Sequence, residues 1–172
     1  MTISYVWQLP KLAKSNVVAR RLLGDWELSG IMSAQSGSPV NVVAAGGPSQ
    51  TGLGNERGVL VGNPYGPGAC GSAAPCVDYL VPASFQPPPI GTFGTLGKGT
   101  LRGPAAFGWD LGLFKTIPLK DRLRLQVRGE FFNLLNRPNF NNPTAAVGGA
   151  GFGSINSAQD PRISQLALKV LF

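Results

Sequence analysis

Hydrophobic and polar residues alternate along five stretches of the chain, and one of these stretches ends it. The residues Leu166, Leu168, Val170 and Phe172 share an apolar face, and the residues between them form a mixed face. Because successive side chains of a strand point to opposite faces, this alternation predicts a β-strand. The same pattern predicts strands at about 2–9, 24–43, 106–116, 122–134 and 163–172.

The connections between the predicted strands alternate between turns and long loops. Residues 10–23 and 117–121 form turns, whereas 44–103 and 136–162 form loops rich in Gly, Pro, Ala and Asn. The predicted fold class is therefore all-β, an antiparallel up-and-down meander of about five strands with long irregular loops. Outer-membrane barrels pair short periplasmic turns with long extracellular loops, so this order is typical of the wall of a transmembrane β-barrel.

Two architectures explain these strands. In an outer-membrane barrel, a terminal aromatic residue on the lipid-facing side of the last strand is expected, and Trp7, Trp26 and Trp109 lie toward strand ends as in an aromatic girdle. The alternative is a soluble secreted β-sandwich or barrel that acts as a binding or adhesion module and buries its last strand. Alternation alone leaves both open, because it does not say which face is inside.

The composition favours strands joined by irregular loops. The chain of 172 residues has 24 Gly and 15 Pro, only 13% charged residues and a slightly positive mean hydropathy. This is too apolar for ordinary disorder and too rich in Gly and Pro for helices. The net charge of +7 raises nucleic acid as a partner. The densest basic set (Arg122, Arg124 and Arg128) lies on one face of a single strand, which favours the inner wall of a channel, and no nucleic acid partner is predicted.

The sequence also bears on membrane insertion and compartment. No apolar run approaches the roughly 20 residues of a transmembrane helix. The first residues read as a strand rather than a signal peptide, so an export signal is expected outside this chain, and the chain is expected to be a fragment of a longer polypeptide. Cys70 and Cys76 predict a local disulfide and an oxidising compartment.

The sequence contains few residues that could form a catalytic, metal or cofactor site. With no histidine and two cysteines, neither a zinc site nor a Ser-His-Asp or Cys-His arrangement is predicted. The segment 97–100 lacks the first glycine of a phosphate-binding loop. Asp25 and Glu27 are expected about 7 Å apart on one strand face, a spacing that could suit hydrolysis by paired carboxylates. Nothing else in the sequence supports hydrolysis, so lumen-facing acids paired with arginine are the favoured interpretation. No enzyme activity, metal or cofactor is predicted.

Several segments carry a resemblance to a known family. They are Gly-Thr-Leu-Arg-Gly-Pro (99–104), Trp-Asp-Leu-Gly-Leu-Phe-Lys (109–115), Arg-Gly-Glu-Phe-Phe-Asn-Leu-Leu-Asn-Arg-Pro-Asn-Phe (128–140), Gly-Ser-Ile-Asn (153–156) and the closing 162–172. Upstream, 24–31, 35–39 and 60–64 fit the same pattern. Over nearly its whole length the chain resembles the C-terminal end of TonB-dependent outer-membrane receptors. It is most similar to the Oar-like group, which carries a carboxypeptidase-regulatory-like domain.

The resemblance implies a Gram-negative outer-membrane receptor with a barrel of about 22 strands, an N-terminal plug and uptake powered through TonB. The five strands cannot close such a barrel, so residues 1–172 are expected to be its C-terminal portion. The expected partners are membrane lipid, the rest of the barrel and the plug, TonB, the barrel-assembly machinery and an unknown small substrate.

Individual residues receive predicted roles within this barrel. Phe172, supported by Leu168 and Val170, is expected to act as the assembly signal of the last strand. Five charged residues are expected to line the lumen as an ion-paired network: Asp110, Arg122, Arg124, Arg128 and Glu130. The favoured role of this network is to hold the wall to the plug, and direct substrate contact is the alternative.

Overall fold

The computed structural model describes residues 1–10, 16, 23–52, 54–66, 79–120 and 122–172. These residues form two compact units. The sheet unit comprises Met1–Ala34, Phe107–Arg137 and Asp160–Phe172, and the loop unit comprises Gln35–Ala106 and Pro138–Gln159. The predicted disulfide between Cys70 and Cys76 lies outside the described residues.

The sheet unit is built on one five-stranded sheet. Its strands are β1 (Thr2–Gln8), β2 (Trp26–Gln35), β3 (Ala106–Lys120), β4 (Leu123–Phe132) and β5 (Ile163–Leu171). They lie side by side in chain order. The pairs β1–β2, β3–β4 and β4–β5 are antiparallel. The predicted antiparallel meander of five strands is therefore confirmed.

Two predicted boundaries were wrong. The second strand was expected to reach residue 43, but β2 ends at Gln35. A Cβ atom on Gly37 would lie 1.7 Å from the carbonyl oxygen of Gly103, so the backbone at Gly37 packs against another segment instead of continuing the strand. After Gly37, the pair Pro39–Val40 forms a separate short ladder with Leu101–Arg102.

The second wrong boundary is the turn expected at 117–121. β3 continues to Lys120, and only two residues separate Lys120 from its partner Leu123. The register shifts between Leu123 and Arg124, which places Arg124 opposite Pro118. Pro118 therefore marks a β-bulge rather than a turn, and bulges are one of the few places where a strand tolerates proline. β4 begins at Leu123, so Arg122 precedes the strand instead of opening it.

Side chains of the sheet alternate between two faces. We call the face that carries Tyr5, Trp109 and Leu168 the apolar face, and the face that carries Asp110, Arg128 and Glu130 the polar face. In the sheet unit the buried described residues are Gly24, Gly30, Gly112, Lys115 and Gly129. Leu166, by contrast, is 83% exposed and Leu168 is 71% exposed. Within the sheet unit, no second layer of the described residues covers the apolar face.

The hydrophobic core lies in the loop unit. Its ladders are two or three residues long: Val43–Ala45 pairs with Asn55–Arg57 and with Ala146–Val147, and Val59–Leu60 pairs with Phe85–Gln86. The buried hydrophobic residues are Val40, Val42, Ala44, Leu80, Phe85, Leu96, Leu101, Phe152 and Ile155. The two predicted loops are thus largely irregular, and they share a single core that the sequence did not predict.

Candidate functional site

The polar face contains a hollow centred on Gly112. The ring of Phe114 folds over this glycine, since a Cβ atom there would lie 2.7 Å from the ring and 2.9 Å from the Ser29 hydroxyl oxygen. Small side chains beside it, Ser4 and Ser29, leave a cavity of about 420 Å³. Its walls carry Asp110, Glu130 and the aromatic rings of Phe114 and Phe132. The hollow therefore combines apolar walls with two carboxylates.

A network of polar contacts crosses β3, β4 and β5 beside this hollow. Arg128 and Glu130 are two residues apart on β4, so they share a face, and Nη2 of Arg128 donates to Oε1 of Glu130 over 2.6 Å. Gln165 on β5 also donates to Glu130. The Arg128 guanidinium lies 5.0 Å from the centroid of the Phe114 ring. Because both charged side chains are partly exposed, the ion pair adds little to the free energy of unfolding, and its main effect is to orient the two side chains.

The structure brings together only part of the predicted five-residue charge network. Of these five residues, Arg128 and Glu130 form an ion pair. Asp110 instead accepts the backbone N–H of Asn133 over 2.9 Å. Arg124 lies further along the polar face, opposite Pro118, and Arg122 lies outside the strand.

The apolar face carries its tryptophans at two levels. Trp26 and Trp7 lie toward the end where β3 turns into β4, and Trp109 lies toward the other end. Lys115 sits beside Trp26, six residues along β3 from Trp109, which is about 20 Å at the rise of a strand. Tyr5 covers Gly30 near the middle of the sheet, and its hydroxyl accepts the indole N–H of Trp109 over 3.0 Å.

Lys115 was missed by the sequence analysis. Its backbone position places it on the apolar face, yet it is only 6% exposed. Its ammonium donates to the carbonyl of Gly24 over 2.5 Å and lies 5.3 Å from the Trp26 ring centroid. The signal was present in the sequence, because Lys115 continues the alternating series of Leu111 and Leu113.

The residues of the predicted assembly signal remain accessible. Val170 is 53% exposed, and Phe172, which follows the last residue of β5, is 99% exposed. β5 has β4 as its single neighbour in the described sheet, and β1 likewise has only β2. Both outer strands thus present an edge that a further strand can pair with.

The loop unit explains the Leu-Arg-Gly-Pro segment of the family resemblance. Leu101 is a core residue, and two tyrosines hold the backbone of Arg102. Tyr65 and Tyr79 both donate to the Arg102 carbonyl, over 3.3 and 3.1 Å, and the Arg102 N–H donates to the Tyr65 hydroxyl over 2.8 Å. Burial raises the pKa of the Tyr79 phenol above its ordinary value, and the neighbouring Tyr65 raises it further.

The described part of the chain contains neither a cluster of metal-binding residues nor a helix that could span a membrane. No cluster of three or more His, Cys, Asp or Glu residues with the geometry of a metal site occurs there. Nor does any described helix have the length and apolar character needed to cross a bilayer.

The comparison with protein families decides between the two architectures. A family model for the outer membrane beta barrel domain matches residues 1–165. The chain belongs to this family. It is therefore a protein of the outer membrane, and its antiparallel sheet is an unclosed part of a barrel wall. Comparison with curated proteins found no match, and comparison with solved structures found none.

Proposed function

We propose that the chain forms wall and outer loops of a TonB-dependent receptor that captures a small substrate for energised uptake. The observation that carries the proposal is the single-layer sheet, with an uncovered apolar face and a polar face crossed by a charged network. In an outer-membrane barrel, the apolar face of the wall contacts lipid and the polar face lines the lumen. Arg128, Glu130 and Asp110 then face the lumen, and Trp7, Trp26 and Trp109 face lipid.

The exposure of the apolar face supports this orientation. Side chains such as Trp7 at 60% and Leu166 at 83% exposure would form a large apolar patch in water, and monomeric soluble proteins rarely expose one. Lipid removes that cost without a second protein layer. The soluble secreted alternative is set aside, because the outer-membrane family matches nearly the whole chain.

The open edges of the sheet support the need for further strands. In lipid, each unsatisfied backbone group costs several kcal/mol, so a membrane sheet must close on itself. We infer that further strands pair with β1 and β5 and complete the barrel. The partners in this proposal are outer-membrane lipid, the rest of the barrel and its plug, TonB and the barrel-assembly machinery, but no nucleic acid. No catalytic role or cofactor is part of it.

The receptor identity, as opposed to the barrel, is supported by the sequence resemblance in 99–104, 109–115 and 128–140. The folded loop unit fits the same role. Two loops that share a core present a fixed surface for substrate capture, whereas independent flexible loops would have to be ordered by the substrate at an entropic cost.

The test has two readouts. An antibody against residues 136–162 should detect an outer-membrane protein several times larger than 18 kDa. The purified protein should then bind the periplasmic domain of TonB, and an unrelated outer-membrane barrel provides the control. An outer-membrane protein of that size that does not bind TonB would contradict the receptor proposal and leave the barrel family intact.

A further inference from the structure

The register of β5 is not specified by burial. Every residue from Ile163 to Val170 is exposed, and β5 pairs only with β4 in the described sheet. A slip of one residue would move Leu166, Leu168 and Val170 to the polar face. A slip of two residues would keep every side chain on its own face, so alternation does not oppose it. Another feature of the chain must select the observed pairing of Val127 with Leu168.

Asn133 connects the end of β4 to the residues that lead into β5. Its side-chain Nδ2 donates to the carbonyl of Asp160 over 3.3 Å and to that of Arg137 over 3.0 Å. Its Oδ1 accepts the Arg137 N–H over 3.1 Å. The residue has a φ of 49°, the left-handed conformation that asparagine adopts more readily than most residues.

Asn136 makes the second connection. It also has a left-handed backbone, with a φ of 50°, and its Oδ1 accepts the backbone N–H of Arg162 over 3.0 Å. Arg162 immediately precedes β5. The two asparagines therefore hold the chain at Asp160 and Arg162, just before the strand begins, and the pairing of Phe132 with Ile163 follows directly.

The turn that contains both asparagines is itself fixed to β3. The N–H of Asn133 donates to Asp110 over 2.9 Å, and the N–H of Leu134 donates to the Trp109 carbonyl over 2.8 Å. The Arg137 guanidinium lies 5.9 Å from the centroid of the Phe107 ring. The entry to β5 is thus held against β3 as well as β4, which makes the turn a fixed reference for the strand.

We propose that Asn133 and Asn136 are positioning residues that set the register in which β5 pairs with β4. The inference gives a role to both asparagines of the Asn-Leu-Leu-Asn segment. It rests on the barrel fold and not on TonB-coupled uptake, so the two proposals fail separately. By fixing the register, the asparagines determine which residue of β4 each residue of β5 lies opposite.

Disulfide trapping in the full-length protein measures the register directly. With Cys70 and Cys76 replaced by serine, cysteines at Gln126 and Lys169 report the native pairing. Cysteines at Gln126 and Ala167, or Gln126 and Leu171, report a slip of two residues. A two-residue slip moves a strand by about 6.7 Å, which carries the native pair beyond disulfide reach.

Substitutions at Asn136 separate hydrogen bonding from backbone conformation. Asn136→Gly keeps the left-handed conformation and removes the acceptor, whereas Asn136→Asp keeps both. Loss of one hydrogen bond should raise the ratio of slipped to native cross-links about fivefold in Asn136→Gly. Asn133→Gly removes three side-chain hydrogen bonds and should raise the ratio at least as much. Asn136→Asp should match the parent. Asn141→Ala is the matched control, because Asn141 bonds Ser157 within the loop unit over 2.8 Å.

The outcomes decide the proposal even where a variant assembles poorly. Failed assembly of Asn136→Gly beside normal assembly of Asn136→Asp would support the role of the acceptor. Equal cross-link ratios in these two variants would overturn it, as would equal failure of both to assemble, and so would native cross-link ratios in both glycine variants.

Discussion

A single methyl group at Gly37 should destabilise the loop unit. In Gly37→Ala, the new Cβ atom would lie 1.7 Å from the Gly103 carbonyl oxygen and 2.5 Å from its carbon. Both obstructing atoms belong to the backbone, so no side-chain rotation relieves the contact, and the two segments must separate by well over 1 Å. That movement breaks the 2.9 Å hydrogen bond from the Gly103 N–H to the Ser38 carbonyl and displaces the adjoining pair of core residues, Val40 and Leu101.

The expected cost is about 2–4 kcal/mol, from overpacking and one lost hydrogen bond. Protease added to intact cells should then cleave the loop unit about a hundredfold faster, because cleavage follows the population of the opened form. Gly54→Ala is the control, since a Cβ atom at Gly54 has no neighbour within 4 Å and Gly54 has no positive φ. Equal cleavage rates for the two variants would refute the close-approach argument.

Three further predictions concern separate parts of the molecule. Lys115→Met removes a charged hydrogen bond and a cation–π contact, and should lower the free energy of unfolding in detergent by about 1–2 kcal/mol, whereas Lys98→Met, at an exposed turn, should not. Deletion of Phe172 should reduce the heat-modifiable outer-membrane form of the full-length protein, and unchanged assembly would contradict its signal role. Because the pKa of Tyr79 is raised, the folded loop unit keeps the phenol proton to higher pH than the unfolded chain does. The contribution of Tyr79 to the free energy of unfolding is therefore complete below pH 10 and is lost as the pH rises through the folded pKa. Tyr79→Phe should abolish that alkaline loss in a pH series of protease resistance.

The strands and their faces could be predicted because alternation is a local property of the sequence. Within a few residues, the alternation shows which side chains share a face, as in the segments Leu123 to Phe131 and Leu166 to Phe172. Glycine and proline were less informative, since the same residue marks a turn, a bulge or a close approach. Pro118 belongs to a bulge and Gly37 to a close approach, and each displaced a predicted boundary.

The core of the loop unit could not be predicted because it depends on contacts between distant residues, and the hydrophobic periodicity of the sequence does not indicate such contacts. Leu80 and Ile155 are fully buried, and the Leu80 N–H donates to the Gly153 carbonyl across more than 70 residues of chain. The partners of Asn133 and Asn136 are equally remote. Asparagine followed by a loop predicts a turn, but nothing local predicts that its side chain bonds Asp160 or Arg162.

A sheet one layer thick has no interior, and four of the five buried residues described in the sheet unit are glycines. Aromatic rings pack along the sheet and cover glycines: Tyr5 covers Gly30 on the apolar face, and Phe114 covers Gly112 on the polar face. In a two-layer protein the opposite layer would bury large side chains instead. In the proposed barrel, the large apolar residues of this sheet stay exposed because lipid forms their second layer. Gly30 and Gly112 are buried because their aromatic neighbours occupy the space that a side chain would fill.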